Sequence, residues 1–196
     1  MTTLFQHNLS QHLELFNRLS VLEEDVARAS RMITDCLRAG GKLMVCGNGG
    51  SAADSQHIAA EFTGRFLQDR RPLAALALST DTSALTCIGN DYSFAEVFSR
   101  QVAALGRAGD CLLGISTSGN SENVLRATEV ARGLGMHTIG LLGRDGGKLH
   151  AHCDHSVVVP ADVTARVQEA HILIGHTICG AVEQMLGLVT VHGAQA

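Results

Sequence analysis

The hydrophobic pattern changes rhythm once along the chain. From about residue 3 to 38, apolar positions recur at helical spacing. Phe5, Leu9, Leu13 and Phe16 form one stripe, and Val26, Ala29, Met32, Ile33 and Cys36 form a second. Recurrence every three or four residues predicts amphipathic helix, here with one break. After Gly40-Gly41, short continuous apolar runs take over at 43–46, 73–78, 111–115, 138–142 and 156–159. Helix-like stretches separate them near 52–67, 82–104, 122–134 and 146–151, and a last helix is expected over 163–187. Continuous apolar strands alternating with helices predict a parallel sheet covered on both faces. The expected fold is therefore α/β, a three-layer sandwich with a five-stranded parallel sheet, as a single domain over 1–196. Extra N-terminal helices occupy 1–38 and the α/β core 42–188. The N-terminal stripes fit either an ordinary packing helix or a subunit contact.

In such sheets ligands bind at the carboxyl ends of the strands. That rule gathers three polar loops, 47–51, 79–91 and 116–121. The first opens the stretch GNGGSAADSQHIAAE, residues 47–61. Its glycines let the backbone turn sharply and approach a ligand, and Ser51 adds a hydroxyl at a helix N-terminus suited to anions and sugar oxygens. His57 and Glu61, four apart, project ~40° apart on one helical face. They make either a proton- or metal-handling pair or a solvated helical pair worth ~0.3 kcal/mol. Gly47, Gly49 and Ala52 also satisfy a dinucleotide-binding spacing. That motif wants an acidic residue ~20 positions on, and Asp81 comes late.

The third loop, Ser116-Thr117-Ser118-Gly119-Asn120-Ser121, lies between an apolar run and a helix. Hydroxyls and helix N–H groups there make a neutral cradle for a phosphate monoester. Ser121 also suits a helix N-cap. Gly146-Gly147-Lys148 is followed by Leu149, so it is not a nucleotide P-loop. On the last helix, spacing sets Glu169 almost on the stripe of His176, and Gln168 ~80° away. Two imidazoles and a carboxylate would suit zinc, and sequence spacing does not bring the two His-bearing helices together.

Composition narrows the classes. Of 196 residues, 45% are hydrophobic and 17% charged, a globular balance. Fifteen basic against 19 acidic residues give a formal net charge of −4, with no basic run to suggest direct nucleic-acid binding. The N-terminus is too polar for a signal peptide. The apolar stretch 172–191 is interrupted by His176 and Glu183, a poor membrane span. The six cysteines form no C-x-x-C pair and read as reduced core thiols of a cytoplasmic protein.

Taken together, GNGGSAADSQHIAAEFTGRF, Gly89-Asn90-Asp91, STSGNS at 116–121, GRDGG at 143–147 and ARVQEAH at 165–171 resemble the sugar isomerase (SIS) fold. More narrowly they resemble the phosphoheptose isomerases, over nearly the whole chain. The resemblance implies an aldose–ketose isomerase converting sedoheptulose 7-phosphate to D-glycero-D-manno-heptose 7-phosphate, the first step of bacterial nucleotide-heptose biosynthesis. Glu61 would be the base and His176 its acid/base partner. His57, Glu61, Gln168 and His176 would surround a zinc ion. Asn48, Gly49, Gly50, Ser51, Asn90 and Asp91 would contact the sugar, with Glu61 and Gln168. Ser116, Thr117, Ser118 and Ser121 would hold the phosphate. The enzyme would be a homotetramer with sites at subunit interfaces. The alternative is a non-catalytic phosphosugar-binding regulator of the replication initiator protein, a relative that lacks the carboxylate at the position of Glu61.

Overall fold

The computed structural model describes residues 2–189, so the end of the 172–191 stretch lies outside the described residues. Eight α-helices and five strands alternate in it: α1 (Leu4–Phe16), α2 (Glu23–Arg38), β1 (Leu43–Gly47), α3 (Gly50–Thr63), β2 (Ala75–Ala77), α4 (Thr82–Asp91), α5 (Ser99–Leu105), β3 (Cys111–Ser116), α6 (Glu122–Gly133), β4 (His137–Gly143), α7 (Gly147–His152), β5 (His155–Val159) and α8 (Thr164–Met185). The sheet is wholly parallel in the order β2-β1-β3-β4-β5. Strand order reverses between β1 and β3, which opens a crevice at their carboxyl ends. The first and third polar loops flank that crevice.

Side chains alternate across the strands and divide the core in two. Leu43, Val45, Leu113, Ile115, Ile139 and Leu141 face one layer, built with α2, α3 and α8. Met44, Cys46, Leu112 and Leu142 face the other, built with α5, α6 and α7. The N-terminal helices behave differently from one another. The α2 helix buries Ala29, Ile33, Cys36 and Leu37 and is an ordinary core helix. By contrast, α1 leaves Leu4, Phe5, Leu9 and Leu13 exposed.

Three expected elements come out altered. The run 73–78 pairs as a strand only over Ala75–Ala77, because β2 is an edge strand bonded on one side alone and entered from Pro72. The stretch expected as one helix over 82–104 breaks after Asp91, where weak helix formers Gly89-Asn90-Asp91 precede an extended Ser93. The helix expected to reach 67 stops at Thr63, before Gly64. All six cysteines are free; Cys36, Cys46, Cys111 and Cys179 are buried, Cys153 is half-buried and Cys87 is exposed. Among the described residues no helix is long and apolar enough to cross a membrane.

Candidate active site

The crevice begins with the turn after β1. Gly49 caps α3 with φ 56°, and Ser51 is buried in the first helical turn. The amide of Asn48 is committed: it donates to Asn123 Oδ1 at 2.9 Å and accepts from Asn123 Nδ2 at 2.8 Å. This reciprocal pair straps the first loop to the start of α6. Each amide keeps one N–H and one lone pair for a ligand. No sequence signal pointed to Asn123, since its partner lies 75 residues away.

The serine loop is built from its own bonds. Ser116 and Ser121 hydroxyls pair at 2.9 Å, and Ser118 Oγ accepts from the Asn120 N–H at 3.2 Å. Ser121 occupies the N-cap position of α6, but its hydroxyl serves Ser116 rather than the helix amides. Those amides therefore stay open toward the crevice. Gly119 is left-handed, with φ 65°, and a Cβ there would overlap the Gly146 carbonyl. Asn120 Oδ1 accepts from the Lys148 N–H at 3.1 Å, so the turn after β4 buttresses the loop.

The parallel helices α3 and α8 run side by side from Gly50 and Gln168 onward. A Cβ on Gly50 would overlap the Gln168 amide, and one on Gly175 would stand 2.7 Å from Ile58 Cδ1. That close approach brings together side chains 119 residues apart. His57 Nε2 lies 3.1 Å from Glu61 Oε1 and 3.3 Å from His176 Nε2. The Phe66 ring stacks on His176 with centroids 5.4 Å apart. Glu61 is mostly buried, at 19% side-chain exposure against 47% for His57, so the carboxylate forms the floor and the imidazole the rim. Asp54, one turn before His57, has a buried Oδ2 that no hydrogen bond satisfies among the described residues. Burial raises its pKa, against the opposing pull of His57 and His176.

The geometry turns Gln168 rather than Glu169 toward α3, the reverse of what spacing on α8 alone favours. Glu169 turns to α1, where it meets His12 Nδ1 at 2.8 Å and accepts from Arg166 Nη2 at 2.5 Å. Gln168 faces α3 at Gly50. The reason is the shared stripe: Gln168 lies seven residues before Gly175, the point of closest approach, whereas Glu169 lies seven before His176, at the margin of that face. Asn90 and Asp91 lie at the C-terminal end of α4. They hydrogen-bond to each other at 2.8 Å at the exposed end of α4, and this bond first, then one from Cys87, lowers the Asp91 pKa. Asp91 lines a cavity of about 450 Å³ with Asp81, Cys87, Tyr92 and Arg100.

The donor set fits a divalent cation. Ligand atoms on a tetrahedron with bonds of ~2.0–2.1 Å stand ~3.3 Å apart. The two measured separations match that spacing, and all three donor atoms lie within 4.8 Å of one another. Two neutral imidazoles and a carboxylate are donors that zinc accepts.

A model of the SIS domain matches residues 7–143, which includes all three polar loops and ends before α8. The chain is 50% identical over 184 residues to a phosphoheptose isomerase of Campylobacter jejuni subsp. jejuni serotype O:6, covering 94% of this chain and 99% of that protein. Two solved phosphoheptose isomerases are similar throughout. The one from Neisseria gonorrhoeae has a TM-score of 0.86 and 49% identity over 91% of this chain and 96% of its own. The one from Francisella tularensis has a TM-score of 0.89 and 39% identity over 94% of this chain and all of its own. With the likeness extending over nearly the full length of each, the chain belongs to the phosphoheptose isomerases, within the family built on the SIS domain.

Proposed function

We propose that the crevice isomerises sedoheptulose 7-phosphate and D-glycero-D-manno-heptose 7-phosphate through an enediolate. One observation carries the site assignment: Glu61, a mostly buried carboxylate, meets two histidines from two helices beside loops suited to a phosphosugar. Isomerisation needs a base at the carbon beside the carbonyl and a carrier for the proton between the two oxygens. Glu61 removes a proton from C1 of the ketose and returns it to C2. His176 moves the second proton from O1 to O2, which converts the enediolate to the aldose with atoms balanced. Because Oε1 faces His57, Oε2 is the oxygen assigned to the proton.

The phosphate sits in the cradle of Ser116, Thr117, Ser118 and Ser121, where hydroxyls and α6 amides hold it without a cation. Asn48, Gly49, Gly50, Ser51 and Gln168 line the path from that cradle to Glu61 and bind sugar hydroxyls. His57, Glu61 and His176 would hold zinc, with Gln168 offering a neutral amide oxygen from the same face of α8. When bound, the ion would supply Lewis acidity toward the substrate oxygens.

The functional unit is a homotetramer. The apolar positions left exposed on α1, and a groove of about 280 Å³ between α2 and α8 lined by Leu22, Val26, Leu173 and Met185, support subunit contacts there. Asn90 and Asp91, at the exposed end of α4, reach a sugar from a neighbouring copy. The testing incubation combines metal-supplemented protein with sedoheptulose 7-phosphate and follows the anomeric region by proton NMR. An aldoheptose signal is expected. Folded protein that produces none overturns the proposal.

A further inference from the structure

The turn of α3 that carries Glu61 is the helix's last, and its carbonyls have no helical N–H partners. Beside the Gly64 N–H on Ala60 and the Leu73 N–H on Phe62, one side chain supplies the rest. Arg70 Nη2 donates to the Glu61 carbonyl at 2.6 Å, and Nη1 donates to the carbonyls of Phe62 and Gly64 at 2.9 and 2.6 Å. Its Nε donates to Glu183 Oε1 at 2.7 Å. Both side chains are 2% exposed, a fully desolvated ion pair. Glu183 Oε1 also accepts from the Phe66 N–H at 3.3 Å, and Phe66 is the residue whose ring lies on His176. The pair thus touches the backbone of the base from one side and the packing partner of His176 from the other.

We propose that Arg70 and Glu183 are positioning residues for the isomerase centre, setting the separation of Glu61 from His57 and His176 while touching none of the three side chains. The inference rests on Glu61 and His176 being the working groups. Guanidinium is suited to the task because a rigid planar fork can satisfy several carbonyls and a carboxylate at once, which a lysine ammonium cannot. A cationic group at a helix C-terminus also complements the helix dipole. Without the fork, the Glu61 and Gly64 carbonyls lose their donors, Phe62 keeps only the Leu73 N–H at 3.0 Å, and the last turn opens to hydrate the freed groups. The Glu61 side chain moves with that turn. Misplacement near 1 Å suffices to slow a positioned reaction about 100-fold.

Removing one charge strands the other in the core, so single truncations confound folding with placement. Replacing a buried ion pair by apolar residues of similar volume commonly preserves stability. The decisive variant is therefore Arg70→Met with Glu183→Met, made in the full chain. Melting, kcat and KM for sedoheptulose 7-phosphate, and cobalt(II) titration followed by its visible absorption are measured together. The expected result is a cooperative melt, KM within about threefold, and kcat lower by about 100-fold. Cobalt affinity should fall by about 10–100-fold, the range for residues that orient metal ligands. A folded double variant with wild-type kcat and cobalt affinity overturns the inference. Should the double variant not fold, Glu183→Gln keeps the volume and an acceptor. It should lower kcat about tenfold with KM unchanged, and unchanged kcat there overturns the inference equally. Arg70→Lys should not rescue kcat, and full rescue by it also overturns the role given to the fork. Wild-type protein without turnover would instead refute the isomerase assignment on which this inference stands.

Discussion

The serine loop and the His57–Glu61–His176 cluster are two halves of one proposed site, held in opposite ways. The loop is neutral, lies within a strand-to-helix turn, and is braced by local bonds and by the Gly146–Lys148 turn. The cluster is ionisable and spans two helices, and it exists only because Gly175 lets α8 approach Ile58 of α3. A phosphate cradle of local bonds stays formed if the helices shift. A proton-transfer centre made by a helix–helix contact does not. Binding and turnover are therefore expected to separate under mutation.

The largest separation should come from Glu61→Gln. The amide keeps the volume and loses the base, so kcat should fall about 1,000-fold, within the range for a lost general base. KM should stay within about threefold, since the serine loop is untouched. Steady-state kinetics read both, and a wild-type kcat would remove Glu61 from the mechanism. Metal removal cuts along the same line. Chelation and dialysis should lower turnover about 100-fold or more, with recovery on zinc addition. Calorimetric binding of the phosphosugar should persist, and its complete loss would show that the two halves are not independent.

The two halves also differ in how much of them a sequence can show. The serine loop is contiguous, follows a buried-looking strand and opens a helix, so its residues and placement are legible at short range. So is the His57–Glu61 pair, from helical spacing. His176 joins them through a tertiary contact that no periodicity encodes, and the choice of Gln168 over Glu169 turns on which stripe of α8 faces α3. Spacing favoured Glu169, because it counts angles on α8 alone and omits the His12 and Arg166 partners that draw that carboxylate to α1. The resemblance named Gln168, and the close approach at Gly50 gives the physical reason it faces the crevice. Asn123 and Arg70 were invisible for the same cause: their partners are backbone or side-chain groups brought near only by folding. The missed break after Asp91 is different, since Gly89-Asn90-Asp91 was a local warning.

His171 ties α8 to β4 and offers a smaller test. It is fully buried on α8, and its ring bonds through Nε2 to the Leu142 carbonyl at 3.0 Å, at the end of β4. Burial pushes its pKa down to about 4, from an ordinary 6.5. The native state therefore keeps it neutral while the unfolded chain takes a proton below pH 6.5. Its contribution to stability is whole above pH 6.5 and is lost as pH falls toward about 4. Between pH 7.5 and 4.5 wild-type protein should lose roughly 2–3 kcal/mol more stability than His171→Gln, which keeps an N–H donor for Leu142. Urea denaturation at the two pH values measures the difference. Equal losses would show that His171 is not held neutral.

The smallest effect should fall on the loop alone. Ser118 Oγ accepts from the Asn120 N–H, which orients the hydroxyl and leaves its hydrogen free to donate to a phosphate oxygen. Ser118→Ala removes that donor. It leaves the Ser116–Ser121 pair, and it leaves the Asn120 side chain bonded to the Ser118 carbonyl at 2.8 Å. One lost hydrogen bond to a charged ligand corresponds to about a tenfold weaker affinity. Because the cluster on α3 and α8 is unchanged, kcat at saturating substrate should stay within about twofold, the mirror image of Glu61→Gln. A variant losing kcat with affinity intact would reverse the division of labour between the two halves. It would mean that the hydroxyl acts on the reacting carbons rather than on the phosphate.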